Sequence, residues 1–393
     1  MNTGNLKRIA ILNPEPTSYY WRKNAALGRA FKSLGFEVYV GNGINQTQMW
    51  PLIESFGPDI IFDTNKSKAD YPGFPKNVLH ISWIQDFEFE RIKLERTSDL
   101  NYWFINPDAL GYKHTSKHHN AVLWPAFDPK DFYPVSKGAK VDVDQFDFGF
   151  FGYLPGPAQR QFEGKPITEC FSLEDGSIKK ITFGDVVKAF DAEASQSEAN
   201  YGGMYDIIRR VLGEKVGDKI KMEFDKNLKH VLEYNVYRQK ERKKMLEMAL
   251  EVSSSLHLYG SAEWCFWEQF SPFFYGHLDN FDMIREAYWN TKLSLHSGNL
   301  AMHWRTFEIM GSQCAIMIQE GPRDNEAGEI NSCFEPYVDY IPWNFDTLKD
   351  NASKYLYENE KRNEIAQNGY IKVLENHTWN HRALQIINDL KKL

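Results

Sequence analysis

The chain has 393 residues, more than one ordinary domain holds, and this length indicates two domains. Its 42% hydrophobic and 25% charged residues are typical of a soluble globular protein, and its net charge of −7 argues against a general nucleic-acid binder. No apolar run reaches the roughly 18 residues that span a bilayer, and the four scattered cysteines indicate reduced, mostly buried thiols and a cytoplasmic protein.

Strands alternate with helices through the first third of the chain. Apolar strands are predicted at 8–12, 36–41, 59–63, 77–84, 101–106 and 121–125. Between the first two, a helix with apolar residues at helical spacing ends at Gly35, a favourable C-cap. This alternation predicts a mostly parallel, Rossmann-like sheet covered on both faces, with residues 1–135 as the first domain.

The second domain is assigned to 136–380. A strand at 146–154 opens it, and an insertion at about 155–235 follows, with a hairpin that turns at Asp175-Gly176. Alternation then resumes and predicts a second Rossmann-like sheet. The basic run 238–245 lies on the first helix after the insertion, where either a solvated helix face or a peripheral membrane contact explains it.

The last part of the chain is predicted to be helical, with breaks. The final helix carries His381 and Arg382 near its start, and residues 381–393 are expected to pack back toward the first domain. Structural anchoring is the favoured role for these two side chains. The lysine-rich C-terminal end of this final helix suits the negative pole of the helix dipole.

The stretch "HSGNLAMHWRTFEIMGSQCAIMIQE", 296–320, places Arg305 and Glu308 in a short helix between two apolar strands. Ligands of open α/β sheets bind beyond the carboxyl ends of the strands, so this helix start faces the cleft. A helix N-terminus and an arginine suit phosphate, whereas one carboxylate can accept bonds from two sugar hydroxyls. Phe307 and Met310 fall on another face and are expected in the core.

Phosphate together with vicinal hydroxyls describes a nucleotide. The alternative is an Arg–Glu pair that only solvates a helix surface, since exposed pairs three residues apart are common and weak. The surrounding motifs favour the nucleotide.

These motifs, in order, are "HLYGSAEW", "YGHLDNFDMIREAYWNTKLSLHS", "RTFEIMGSQCAIMI" and "NGYIKVLENHTWNHRA". Together they resemble the C-terminal half of group 1 glycosyltransferases, especially the branch around the spore-maturation protein CgeB. The resemblance covers residues from about 252 to the C-terminus and is looser over the first domain, where "WPAFDPKDFYP" is similar to the linker of these enzymes.

The resemblance implies a GT-B architecture, an α/β fold in which two Rossmann-like domains face each other across a cleft. It implies a nucleotide-diphosphate sugar as donor, bound mainly by the second domain, and no further cofactor or metal. Glu308 matches the glutamate that binds the ribose hydroxyls, and 297–303 with the helix start would hold the diphosphate. The other donor-site candidates that it suggests are Arg242, Gly260, Tyr275, Leu278, Arg305, Thr306 and Phe307.

The sequence also departs from the family. Many retaining members carry another glutamate eight residues before the ribose-binding one, where this chain has Leu300. This sugar-binding carboxylate is therefore either missing or replaced by Asn299 or His296, and retention of the anomeric configuration is slightly favoured. Arg160 competes with Arg242 as the second phosphate contact, because the insertion makes alignment there ambiguous.

A glycine-rich phosphate loop after the first strand is absent. "NPEPTSYYWR" stands there, with Thr17 and Tyr20 as candidate hydrogen-bond donors, and an ordinary loop packed by aromatics is equally compatible. Asp86 follows a strand of the first domain and is the candidate base or acceptor contact, with the N-cap of a helix as the alternative. His80, inside the same strand, is expected to be a core histidine.

The sequence therefore predicts an enzyme that transfers a sugar to a glycan, a lipid-linked sugar or a surface polymer. Two alternatives stay open: a GT-B epimerase or hydrolase, and a non-catalytic binder of nucleotide sugars. A Rossmann dehydrogenase is disfavoured because no G-x-G-x-x-G follows either first strand.

Overall fold

The computed structural model contains two six-stranded sheets that face a common cleft. It describes residues 6–13, 18–42, 44, 46–85, 98–104, 119–135, 145–156, 171–172, 178–179, 209, 213–214, 238–298 and 300–393.

The N-terminal sheet has six parallel strands in the order β2-β1-β3-β4-β5-β6. The strands are β1 (Arg8–Asn13), β2 (Glu37–Asn42), β3 (Ile60–Thr64), β4 (Leu79–Ile84), β5 (Leu100–Trp103) and β6 (His119–Val122). Helices α1 (Ser18–Ser33) and α2 (Gln46–Phe56) connect the first three strands. The strand order reverses between β1 and β3, and the predicted Rossmann-like unit is confirmed.

Gly35 ends α1 as its sequence predicts. Its φ of +88° is left-handed, and the amides of Gly35 and Phe36 donate to the carbonyl oxygens of Lys32 and Phe31 at 3.0 and 3.1 Å. This turn sends the chain directly into β2.

The C-terminal sheet is also entirely parallel, in the order β11-β10-β7-β12-β13-β14. Its strands are β7 (Phe146–Phe151), β10 (Leu256–Tyr259), β11 (Phe274–Gly276), β12 (Thr291–His296), β13 (Ile316–Gln319) and β14 (Ile341–Trp343). The helices around it are α3 (Arg238–Val252), α4 (Phe281–Trp289), α5 (Trp304–Gly311), α6 (Ile330–Cys333), α7 (Leu348–Tyr357) and α8 (Asn359–Asn376). The order reverses between β7 and β12, so their carboxyl ends flank a crevice of the kind that binds ligands.

The last helix, α9 (Trp379–Leu390), belongs by packing to the N-terminal core. Trp379, Ala383, Ile386 and Leu390 are buried in the cluster formed by α1 and β1 to β5. Arg382 is buried beside them and donates to the carbonyl oxygen of Trp124 at 2.8 Å. The chain thus crosses back over the cleft and ties its two sheets together.

Most of the predicted insertion lies outside the described residues. Two short antiparallel strands of it are described, β8 (Phe171–Ser172) and β9 (Ile178–Lys179), and they match the predicted hairpin. The Asp175-Gly176 turn between them is outside the described part of the chain.

Across the part of the chain that is described, no helix combines the length and the apolar character needed to cross a bilayer. Three described cysteines are unpaired, of which Cys314 is buried, Cys333 partly buried and Cys265 exposed. The expectation of mostly buried thiols is therefore wrong for this set, because Cys265 lies in an exposed turn after β10.

Two glycines meet where β7 and β10 end. Gly260 has φ +144°, and a Cβ atom added there would lie 1.9 Å from the carbonyl oxygen of Gly152. That oxygen also accepts a bond from the Trp264 indole at 3.1 Å. Only glycine allows these two backbone segments to approach this closely at the edge of the cleft.

Substitution of alanine for Gly260 should therefore lower stability strongly. We expect Gly260→Ala to cost roughly 2–4 kcal/mol, since it combines backbone strain with a clash against rigid main chain. The control is Gly276→Ala, because Gly276 also has a positive φ, +104°, but has open space around its Cβ position. Urea unfolding midpoints of the two variants measure the difference, and equal midpoints would contradict the close-approach argument.

Candidate functional site

A cavity of about 210 Å³ lies between the two sheets and is lined by both domains. Arg22 and Lys23 of α1 form one wall. The opposite wall includes Gly260, Leu278, Arg305 and Glu308. The carboxyl end of the C-terminal sheet thus opens toward the N-terminal domain, as its strand order requires.

Helix α5 places Arg305 and Glu308 on the cavity. His303 is its N-cap, and the His303 ring accepts from the amide of Arg305 at 3.4 Å. The first-turn amide is therefore capped by a side chain, through a long hydrogen bond, rather than left open as the sequence suggested. Phe307 and Met310 are 0% and 1% exposed, which confirms that they face the core.

Glu308 is a carboxylate in an apolar setting. The hydroxyl of Tyr288 donates to its Oε2 at 3.1 Å. Burial raises the pKa of Glu308 to about 7, against the lowering effects of that hydrogen bond and of the Arg22 and Arg305 charges. Near neutral pH the group is therefore poised to ionise when hydroxyl donors reach it.

Positive charge concentrates beside the β7–β12 crevice. Arg242 of α3 is buried, and its Nε donates to the Ser297 hydroxyl at 3.3 Å, just beyond β12. Burial, followed by the charges of Arg238 and Arg305, lowers the pKa of Arg242 to about 9. Like charges close together in a buried place repel one another, and an anion bound beside them would offset that repulsion.

Two histidines adjoin these cations and are neutral. His296 ends β12, and its ring centroid lies 5.9 Å from that of His303. Burial, with the charges of Arg305 and Arg242, lowers the pKa of His296 to about 3. The pKa of His303 is lowered for the same reasons. The buried Nδ1 of His296 makes no hydrogen bond, and His296 does not line the cavity.

A side-chain relay fixes the start of the loop between β12 and α5. Gln319, at the end of β13, donates to Oε1 of Glu241 at 2.6 Å and accepts from the Gly298 amide at 2.8 Å. Glu241 and Gln319 are both buried, and burial raises the pKa of Glu241. Because Glu241 precedes Arg242 on α3, one helix sets both the loop and the buried guanidinium.

Several sequence candidates lie near the cavity without lining it. The Thr306 hydroxyl donates to the Ala301 carbonyl oxygen at 2.6 Å, and Phe307 stacks on His377 at 5.0 Å between centroids. Tyr275 is 57% exposed and stacks on His257 at the sheet edge, and the Tyr20 ring lies 4.6 Å from the Lys23 ammonium. Thr17, Asp86, Asn299 and Arg160 are outside the described residues.

His80 is fully buried, and burial lowers its pKa to about 3. Its Nδ1 lies 3.0 Å from the Ser98 hydroxyl, so it is the core histidine that the sequence predicts.

Sequence reasoning missed three groups of this site. Tyr288 and Gln319 occupy positions that read as ordinary helix and strand residues, and only the fold brings them to Glu308 and Gly298. Lys23 lies in an amphipathic helix, where lysine is common. Its burial, 4% exposed, is the feature that distinguishes it.

Comparisons with known proteins bear on the fold and on the sequence of the C-terminal domain. Residues 238–388 match the family model "Glycosyl transferase-like". A glycosyltransferase from Rickettsia africae has a similar fold, with a TM-score of 0.51 and 10% identity over 99% of this chain and 100% of that one. The chain has a GT-B-type fold, and its C-terminal part is similar in sequence to glycosyltransferases. The family match covers α3 to α9, the part of the chain that carries Arg305 and Glu308.

A second similar structure is the Anabaena protein HepE, solved in complex with UDP, with a TM-score of 0.49 and 13% identity over 98% of this chain and 100% of that one. A comparison with curated proteins found no significant match. The CgeB-like branch therefore stays a prediction.

The raised pKa of Glu308 predicts that a ligand whose hydroxyl groups donate to this carboxylate binds in a pH-dependent way. Hydroxyl donors favour the carboxylate, so affinity for a nucleotide sugar should rise with pH through about 7 and then level off. Calorimetric dissociation constants on both sides of that pH measure this effect. Tyr288→Phe removes a bond that favours the carboxylate and should move the midpoint upward. A flat profile in the unmodified protein would exclude an ionising Glu308 from binding.

The relay predicts a charge-swap rescue. Gln319→Glu should loosen the Gly298 loop, because two carboxyl groups then face each other and can bond only if one of them stays protonated. In the double variant Glu241→Gln/Gln319→Glu, the new amide at position 241 donates to the new carboxylate at position 319. That carboxylate still accepts from the Gly298 amide, so both hydrogen bonds re-form. Hydrogen exchange of segment 297–303 should rise about tenfold or more in the single variant and return toward normal in the double variant.

Glu241→Gln alone is the control for this swap, since a glutamine at 241 can still accept from Gln319. Exchange that is equally fast in Gln319→Glu and in the double variant would show that the relay does not hold the loop.

Proposed function

We propose that the protein transfers a sugar from a nucleotide-diphosphate sugar to a hydroxyl acceptor, without a metal ion and with retention of the anomeric configuration. The acceptor class is a glycan, a lipid-linked sugar or a surface polymer. The proposal rests above all on Arg305 and Glu308, which line one cavity from a single helix.

The two side chains suit the two ends of a nucleotide diphosphate. Arg305 lies in the first turn of α5, and its charge is near enough to lower the pKa of Arg242. A diphosphate bound here would neutralise both guanidinium groups. Glu308 lies one turn further along, beside Tyr288, where a carboxylate can accept from two ribose hydroxyls. Leu278 and Phe281 line the same cavity and offer an apolar surface to the base.

Positive side chains support chemistry without a metal. When the bond between the anomeric carbon and the diphosphate oxygen breaks, the electron pair stays on the diphosphate. Arg242 and Arg305 stabilise that charge in a site partly shielded from water. The acceptor oxygen bonds to the anomeric carbon, and its proton passes to the departing diphosphate.

Retention is supported by the state of the carboxylates along the cavity. Asp128 accepts from Arg29 Nε at 2.7 Å, and Asp131 pairs with the same guanidinium. Glu308 is engaged by Tyr288. An inverting reaction needs a carboxylate available as base on the acceptor side, whereas Asp128 and Asp131 are paired with Arg29 and Glu308 is assigned to the ribose hydroxyls. Asp86 is the remaining candidate from the sequence.

Glu308→Ala should weaken binding of the preferred nucleotide sugar by roughly 100-fold or more, since the ribose hydroxyls lose a charged acceptor. Calorimetry with UDP-, GDP- and dTDP-sugars identifies the donor and measures this loss. Glu360→Ala, which removes an exposed carboxylate on α8, is the control. Unchanged affinity in the Glu308 variant, with its thermal stability intact, would remove the donor-site assignment.

The reaction itself is tested by nucleotide release. Transfer predicts that free nucleotide diphosphate accumulates in proportion to added acceptor, and that NMR of the product shows the donor's anomeric configuration. Release that does not depend on acceptor would instead indicate a hydrolase.

A further inference from the structure

Lys23 is a buried cation on the cleft side of the N-terminal domain. Its side chain is part of the cavity wall although the residue is only 4% exposed. Long ammonium side chains are seldom buried unless their charge has a role. Because Lys23 lines the cavity, a ligand in the cleft would lie beside this charge.

The fold places this ammonium at the strand-order reversal of the N-terminal sheet. Lys23 Nζ donates to the Thr64 hydroxyl at 3.0 Å and lies 3.5 Å from Oδ1 of Asn13. Asn13 and Thr64 are the last residues of β1 and β3, the two strands that flank the reversal. Ligands of such sheets bind at this point, so Lys23 occupies the N-terminal domain's own ligand position.

The same ammonium lies near α5, the helix of the C-terminal domain that borders the cavity. It lies 4.8 Å from the ring centroid of Trp83 and 5.9 Å from that of Trp304, the first residue of α5. Arg305 follows Trp304 and lines the same cavity. A diphosphate bound at the start of α5 would therefore lie between a guanidinium of one domain and an ammonium of the other.

The adjacent residue shows that this end of α1 reaches the second domain. Arg22 Nη1 donates to the Asp279 carbonyl oxygen at 3.0 Å, and its guanidinium lies 5.4 Å from the Phe281 ring. Asp279 lies just before α4, and Phe281 is the first residue of that helix. Helix α1 is thus held against the donor domain where Lys23 enters the cavity.

We propose that Lys23 is a catalytic residue that binds the diphosphate across the cleft and stabilises the charge it gains on leaving. This inference rests on the proposed function. As the sugar–oxygen bond breaks and the acceptor oxygen replaces it at the anomeric carbon, the electron pair stays on the diphosphate. The ammonium then faces more negative charge than it did in the donor complex, so its contribution is greatest at that stage.

The test compares Lys23→Met, Lys23→Arg and Lys32→Met. Methionine keeps most of the length and volume of lysine but removes its charge. Lys32 lies in the last turn of the same helix and is exposed, so Lys32→Met controls for the loss of one positive charge. Circular dichroism and melting temperature establish that each variant is folded.

The probe is whichever of UDP, GDP and dTDP the unmodified protein binds most tightly by calorimetry, together with the matching nucleoside and nucleotide sugar. Lys23→Met should weaken diphosphate binding by about 10–100-fold, the nucleotide sugar less, and the nucleoside not at all. Lys23→Arg should recover part of the loss. The kcat for transfer should fall by at least as large a factor, while Lys32→Met stays within about twofold.

The two proposals fail in different ways. If Glu308→Ala abolishes nucleotide binding but folded Lys23→Met binds the diphosphate normally, Lys23 is structural and the donor site stands. Equal weakening of nucleoside and diphosphate would likewise overturn a phosphate contact. If no nucleotide diphosphate binds the unmodified protein, both proposals are wrong.

Discussion

Packing of one aromatic side chain between the domains fixes the geometry on which the site depends. Trp304 opens α5 in the C-terminal domain, yet it is buried in the N-terminal core. Its ring centroid lies 5.6 Å from those of both Trp83 and Trp379. Because Arg305 is the next residue and Glu308 follows one turn later, the position of this tryptophan sets where both charged groups meet the cleft. Burial of a side chain this large stabilises the arrangement by roughly 2–3 kcal/mol, and aromatic pairing adds to it.

Around this fixed helix the fold collects charge that has no use in a simple core. Arg242 is buried next to the charges of Arg238 and Arg305, and Lys23 approaches from the other domain. The relay through Gln319 holds the loop between these cations at a set distance from α3. A multivalent anion bound beside these cations would offset their mutual repulsion. In the proposed reaction the same groups stabilise the additional charge of a leaving diphosphate without rearranging, which is the main requirement for this kind of catalysis.

The sequence predicts the fold well, because both sheets are parallel and their strands are continuous apolar runs between clear helix and turn signals. Gly35 and the Arg305–Glu308 helix are local patterns and were predictable in the same way. Tyr288, Gln319 and Lys23 were not, since each acquires its role from a partner far away in sequence: Glu308 is 20 residues from Tyr288, and Thr64 is 41 from Lys23. The capping of α5 by His303 was also missed, because a histidine before a helix is a weaker cap signal than Ser, Thr, Asp or Asn.

The position of the diphosphate tests this account most directly. A crystal structure of the protein with its preferred nucleotide diphosphate should show the phosphates at the start of α5, within hydrogen-bond distance of Arg305 and Lys23, and the ribose hydroxyls on Glu308. A nucleotide bound elsewhere, with α5 directed away from it, would contradict the account.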